Sequence, residues 1–258
     1  MLNHREAGRS LVLALQSETG RFQVTVAATS IEVFSALDHD HENVLHPNEV
    51  IYYRSLQFQK RKIDFLLGRF AAKRALEHFL CGCDYSRIEI FSGVFHQPIV
   101  RSPSTDRLSV SISHSNGIAM ALAYSDAHPM GIDVEVIIPS RITVLASEMT
   151  AREKEFLDAN REERLNCYTH AWTAKEAVSK ALRCGLACPF EILEISCLKK
   201  AGPVREGRFV NFAQYKFYCW EIDGFSISIA LPNTTTLETS LSRLTEFFSP
   251  VAPRLIYE

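Results

Sequence analysis

LSVSISHSNGIAMALAYS, residues 108–125, is the stretch on which the reading of the fold turns. Two apolar, strand-forming runs meet at Asn116-Gly117, a dipeptide suited to the left-handed dihedrals of a two-residue hairpin turn. The same pattern returns at YKFYCWEIDGFSISIALP, residues 215–232, which turns at Asp223-Gly224. Ahead of the first hairpin, DFLLGRFAAKRALEHFL (64–80) spaces its apolar residues at helical intervals and meets Gly82, so the spacing predicts a helix. A strand is expected at 87–92, then a loop holding Pro98 and Pro103. Ahead of the second hairpin, HAWTAKEAVSKAL (170–182) predicts a helix stopped by Gly185, and FEILEISCL predicts a strand. AAKRAL matches TAKEAV at an offset of 102 residues, IEI matches LEI at 105, and GIAMALAYS matches GFSISIALP at 107. The expected fold is therefore α+β, a pseudo-dimer of two similar halves, 1–125 and 126–258, meeting near residues 126–131. A cleft between such halves is a preferred place for a ligand.

The bulk composition narrows the classes. With 47% hydrophobic and 22% charged residues in 258, the chain is that of an ordinary globular protein. A net charge of −2 argues against general nucleic-acid binding, which needs a basic footprint; the one local basic cluster is Lys60, Arg61 and Lys62. The apolar run Leu11–Leu15 is too short for a secretory signal, and no stretch approaches the ~20 apolar residues of a membrane span. Seven cysteines, an odd number without disulfide-like spacing, fit a reducing cytoplasm. His78, Cys81 and Cys83, with His96 beyond, lack a second ligand pair at zinc spacing and are read as buried thiols at a helix end.

The seam holds GIDVEVI, residues 131–137. Its β-branched residues predict a strand, in which Asp133 and Glu135 project from one face. Adjacent carboxylates repel unless a cation lies between them or one is protonated. Plain alternation on a solvent-facing strand would give the same pattern. Glu176 adds a third carboxylate, on a helix face shared with Trp172 and Lys180. Thr173-x-x-Glu176 also has the form of a capping box, but helical character continues upstream through Leu165, Tyr168 and Trp172, so Thr173 is placed inside the helix. Thr150-x-x-Glu153 is the better capping box. Lys180 also has an ordinary reading, an i,i+4 salt bridge to Glu176. Three oxygen ligands suit a hard cation such as Mg²⁺, which commonly shares its coordination with substrate phosphates and water. Ser113 and His114 then offer a hydroxyl and an imidazole to a phosphate. Arg61 and Arg69 share a face only if their helix begins before residue 64.

GIDVE followed some forty residues later by WTAKEAVSKAL resembles the paired signature of the 4′-phosphopantetheinyl transferases, of the two-lobed type that activates surfactin synthetase. FLLGRFAAKRAL, SISHS and CGLACPFEILEI resemble further conserved segments of that family, and the likeness runs from about Tyr52 to Leu231. The resemblance implies transfer of 4′-phosphopantetheine from coenzyme A to a serine of an acyl or peptidyl carrier protein. It implies Asp133, Glu135 and Glu176 as ligands of Mg²⁺ or Mn²⁺, and Glu176 and Lys180 as catalytic. Arg61, Arg69, Ser113, His114 and Lys175 fall among its coenzyme A contacts. A cytoplasmic monomer with carrier-protein partners, and neither nucleic acid nor membrane, is the expectation. Gln97 stands where relatives carry a lysine ahead of the SISHS strand, so one phosphate contact of the family lacks its cation here.

Overall fold

In this computed structural model, which describes residues 7–249 apart from 19, 105, 106, 160, 162 and 203, both hairpins form where the alternation puts them. The chain opens with β1 (Arg9–Ser17) and β2 (Gly20–Ser30), followed by α1 (Phe34–His39), α2 (His41–Val44), α3 (Pro47–Ser55) and α4 (Gln59–Leu76). A small hairpin of β3 (Glu89–Ser92) and β4 (Pro98–Arg101) precedes β5 (Leu108–Ser115) and β6 (Ile118–Ser125). Then come β7 (Gly131–Val136), α5 (Ile142–Ser147), α6 (Ala151–Asp158) and α7 (Arg164–Ala181). The chain continues through β8 (Ile195–Ala201), β9 (Val204–Phe209), β10 (Tyr215–Ile222), β11 (Phe225–Pro232), β12 (Thr236–Leu237) and α8 (Leu241–Phe248). One five-stranded sheet has the order β12-β1-β2-β6-β5 and the other the order β7-β11-β10-β9-β8. At both hairpin turns the two central residues have positive φ, 45° and 80° at Asn116-Gly117 and 50° and 80° at Asp223-Gly224.

Period-two alternation sorts the side chains into layers. Ile118, Met120, Leu122 and Tyr124 of β6 join Ile132, Val134 and Val136 of β7 and Phe225, Ile227 and Ile229 of β11 in one core between the sheets, closed by Leu244, Phe247 and Phe248 of α8. The intervening residues Ala119, Ala121 and Ala123 face the α4 core of Leu66, Phe70 and Leu76. On the other side, Phe217 and Cys219 of β10 and Ala230 of β11 face Ala171, Ala174 and Val178 of α7. The alanines of β6 present a small-residue face to α4.

Each long helix is fastened by the same buried device. Lys73 of α4 donates to the carbonyls of Val44 (2.9 Å) and Tyr85 (3.1 Å) and to the Glu49 carboxylate. Glu49 also accepts the amides of His46 (2.8 Å) and Ile90 (3.1 Å). Lys175 of α7 donates to the carbonyls of Glu148 and Phe190 (both 3.2 Å) and to Glu153 (2.7 Å), which accepts the amides of Thr150 and Ile195 (both 2.8 Å). Glu49 and Glu153 each close a capping box. Both pairs are almost fully buried, so removing one partner costs about 3–5 kcal/mol, whereas the intact pair is close to neutral against apolar substitutes.

Several boundaries differ from the sequence expectation. The first helix begins at Gln59, not at 64, because its opening turn is polar and carries no apolar period. Residues 190–193 form turns rather than strand, held by Ile192 N to Pro189 O (3.0 Å) and Leu193 N to Phe190 O (3.1 Å). Cys81 is exposed and Cys83 half-buried, so the reading of buried thiols is corrected; His78 contacts Gln23 at 3.0 Å. Leu11–Leu15 lies within β1. Among the described residues no helix is long and apolar enough to cross a membrane.

Candidate active site

The edges of the two sheets meet where β5 runs alongside β7. Their joint is made by side chains: the amides of Ile132, Val134 and Val136 donate to the hydroxyls of Ser111 (3.0 Å), Ser113 (3.2 Å) and Ser115 (3.1 Å). Because Ile132, Val134 and Val136 fill the intersheet core, Asp133 and Glu135 are turned toward α7. Gly131 is required here, since a Cβ would overlap the carbonyl oxygen of Ala177 in α7.

Lys180 Nζ donates to Asp133 Oδ1 at 2.6 Å, and Ser113 Oγ donates to the same oxygen at 2.7 Å. Asp133 Oδ2 is buried without a hydrogen-bond partner among the described residues. Burial raises the Asp133 pKa above the ordinary carboxylate value, with Lys180 opposing. Glu135 accepts from Ser115 Oγ (3.0 Å) and from Arg141 Nη1 (2.8 Å). Arg141 carries no signal in the sequence; the 3₁₀ turn Pro139–Arg141 brings it back to Glu135. Glu176 is pushed up to about 7, first by burial, then by the negative charge of Asp133 and more weakly of Glu135, against the pull of Lys180. Thr173 lies inside α7 and bonds Ser226 (2.9 Å) and Ser228 (2.6 Å), so it caps no helix.

Among the described residues no group of three or more His, Cys, Asp and Glu side chains is arranged to hold a metal ion. Lys180 and Arg141 instead take up carboxylate oxygens of Asp133 and Glu135. The chemistry of the donor set nevertheless fits a hard cation: all its groups are carboxylates and one buried oxygen lacks a partner among the described residues.

Two adjoining cavities open beside this cluster. One, of about 260 Å³, lies against α4 and is lined by Arg61, Asp64, Phe65, Arg69, His96 and His114 among others. The other, of about 440 Å³, has mainly apolar walls including Val94, Phe95, Val110, Ile112 and Ala187, with Glu176, Lys180 and Arg183 at its edge. His96, Pro98 and Ile112 line both. The early start of α4 puts Arg61 and Arg69 on one cavity wall. His114 Nδ1 is 3.8 Å from Asp64 Oδ1, and its pKa is lowered by desolvation, with Asp64 opposing. Lys175 does not join these groups. One helical step turns it away from Glu176 into the buried pair with Glu153, and it lines neither cavity.

The 4′-phosphopantetheinyl transferase superfamily profile matches residues 129–230, and a 4′-phosphopantetheinyl transferase N-terminal domain profile matches residues 54–124. The holo-[acyl-carrier-protein] synthase of Anoxybacillus flavithermus is 42% identical over 86 residues, which cover 31% of this chain and 71% of that protein. The chain belongs to the 4′-phosphopantetheinyl transferase superfamily. Another superfamily relative, the holo-[acyl-carrier-protein] synthase of Streptococcus agalactiae, is 34% identical over 85 residues, covering 31% of this chain and 71% of that protein. A solved holo-(acyl-carrier-protein) synthase from Bacillus anthracis, in complex with CoA (3′,5′-ADP), aligns with a TM-score of 0.37 at 21% identity, over 45% of this chain and 97% of that one. The superfamily match thus spans the strand with Asp133 and Glu135 and the helix with Glu176 and Lys180.

Proposed function

We propose that the protein transfers the 4′-phosphopantetheine arm of coenzyme A to a serine of an apo acyl or peptidyl carrier protein. The serine oxygen bonds to the β-phosphorus, the bond from that phosphorus to the oxygen bridging to the α-phosphate breaks, and adenosine 3′,5′-bisphosphate leaves with the electron pair. The observation that carries this reading is the convergence of Asp133, Glu135, Glu176 and Lys180 beside a cavity holding Arg61, Arg69 and His114. Arg61, Arg69 and His114 bind the anionic nucleotide end, and the apolar cavity takes the arm. Lys180 meets charge developing on the phosphates, and Glu176, whose pKa is raised to about 7, accepts the serine proton in its ionised form. Asp133, Glu135 and Glu176 would hold Mg²⁺ or Mn²⁺, which when bound supplies Lewis-acid neutralisation of the pyrophosphate.

The same reading takes the chain as a pseudo-dimer of halves 1–125 and 126–258, supported by the twin Lys73–Glu49 and Lys175–Glu153 networks. It takes the protein as a cytoplasmic monomer that binds neither nucleic acid nor membrane, in keeping with its charge of −2. Incubation with coenzyme A, Mg²⁺ and a panel of apo carriers, followed by intact-mass measurement, tests the activity. A gain of one phosphopantetheine per carrier is expected; carriers unchanged across the panel would refute it.

A further inference from the structure

The twin networks differ at one point. Glu153 meets Lys175 and two backbone amides, and among the described residues no arginine reaches it. Glu49 makes the corresponding bonds and also lies 3.1 Å from Nε of Arg69. At the offset of 102 residues, the counterpart of Arg69 is Ala171, buried in the α7 core. The arginine is therefore an addition to the shared device, not part of it.

Its surroundings show what the addition does. Arg69 stands one turn before Lys73, so both cations approach Glu49 from the same helix. The Phe65 ring lies 4.6 Å from the guanidinium carbon, and the side chain is only 16% exposed. Among the described residues its Nη groups bond no protein atom, while the side chain lines the 260 Å³ cavity with Arg61 and His114. Lys73 balances the charge of Glu49, so the carboxylate orients Arg69 without cancelling its pull on an anion. The carboxylate that lines that cavity, Asp64, is met by Lys60 at 2.9 Å. The contact with Glu49 is an ion pair, Nε making no aligned hydrogen bond among the described residues, and with Phe65 stacked on the guanidinium it leaves the arginine little freedom to lose when it binds a phosphate.

We propose that Glu49 is a positioning residue for coenzyme A, holding the Arg69 guanidinium toward the phosphates of the nucleotide end, a task its twin Glu153 does not have. This rests on the transferase reading of the cavity. Calorimetric titration with coenzyme A of Glu49→Gln, Glu153→Gln, Arg69→Ala and the Glu49→Gln/Arg69→Ala pair tests it. Both glutamate variants should melt earlier by similar amounts. Arg69→Ala should bind about tenfold more weakly and Glu49→Gln about fivefold, with Glu153→Gln at the wild-type value, because a charge-assisted contact is lost or misaimed only at the first site. The double variant should match Arg69→Ala, since the two residues act as one. Equal affinities for Glu49→Gln and Glu153→Gln, or losses that add in the double variant, would overturn the proposal. Wild-type affinity in Arg69→Ala would instead remove the reading of the cavity, and the proposal with it. If Glu49→Gln does not fold, Glu49→Asp against Glu153→Asp gives the same comparison, the charge kept but withdrawn by one methylene.

Discussion

Lys180 Nζ, in the last turn of α7, lies 2.6 Å from Asp133 Oδ1 in β7, so helix and strand are joined by a charge pair whose lysine lines the apolar cavity. Asp133 is 4% exposed, and its charge depends on that ammonium. Lys180→Met should therefore lower turnover at least tenfold and stability by about 1–3 kcal/mol, the range for orphaning a buried hydrogen-bonded group. Adding Asp133→Asn should restore melting temperature but not turnover. Thermal melts of the single and double variants check this, and additive losses would contradict it.

Glu176 gives the metal-free protein a pH dependence of definite sign. Its folded pKa is raised from 4.5 to about 7, so the folded state holds the proton more tightly than the unfolded chain. That contribution is complete below the unfolded value and fades as pH rises through the folded one. Between about pH 5 and 8, chelator-treated wild type should lose roughly 1–2 kcal/mol relative to Glu176→Gln, after allowance for solvent screening. Denaturant titrations across that range measure it, and parallel curves would exclude the shift.

The assignment of Glu176 as the base separates it from Asp133. Glutamine keeps an oxygen ligand but accepts no proton. Glu176→Gln should collapse turnover by about 10²-fold or more while coenzyme A binding holds. Asp133→Asn should recover as Mg²⁺ is raised or replaced by Mn²⁺. Equal rescue of both variants would leave Glu176 as a ligand alone.

Arg61 lines the 260 Å³ cavity at the opening turn of α4, where the nucleotide end is proposed to bind. Arg61→Ala should raise KM for coenzyme A about tenfold and for dephospho-coenzyme A much less, since a charge-assisted phosphate bond is the contact removed. Steady-state kinetics on both substrates decides the matter. An equal rise would place the arginine on the pyrophosphate.

Gly131→Ala should be more damaging than its size suggests. The added methyl overlaps the Ala177 carbonyl, so α7 must move off β7. A loss of about 3 kcal/mol or more is expected, beyond the usual overpacking cost, because backbone yields less than a side chain. Lys180 and Glu176 move with the helix, so turnover should fall in whatever fraction remains folded. A wild-type melting temperature would contradict so close an approach of α7 to β7.

Strong local codes made much of this legible in the sequence. Asn116-Gly117 and Asp223-Gly224 fix two turns by dihedral preference, and the alternation around Asp133 and Glu135 fixes which way those side chains point. Long-range and irregular features were less visible. β1 and β2 carry a short apolar run without a decisive local code, and they acquire a core face from β6 and α4. Arg141 reaches Glu135 through a turn with no periodicity. Lys175 is adjacent to Glu176 in sequence, yet the 100° step of a helix sends it into a different environment. The serines of SISHS suggested phosphate contacts, while Ser113 is taken by Val134 N and Asp133 Oδ1.

Those serines make the meeting of β5 and β7 a splice with a reading frame. Slide one strand by a single residue and the amides of β7 would face Val110, Ile112 and His114, none of which carries a hydroxyl to receive them. A slip by two would restore the bonds at two of the three rungs in one direction and, because Ser109 continues the alternation, at all three in the other, but would present Asp133 to Ser115 or Ser111 rather than to Ser113. The orientation of an acidic group belonging to one sheet is thus written in the spacing of hydroxyls on the other. Cutting the polypeptide between 126 and 131 would yield two fragments, one with the serines and one with the carboxylates, and only their reassembly in frame would restore the hydroxyls that orient Asp133 and Glu135.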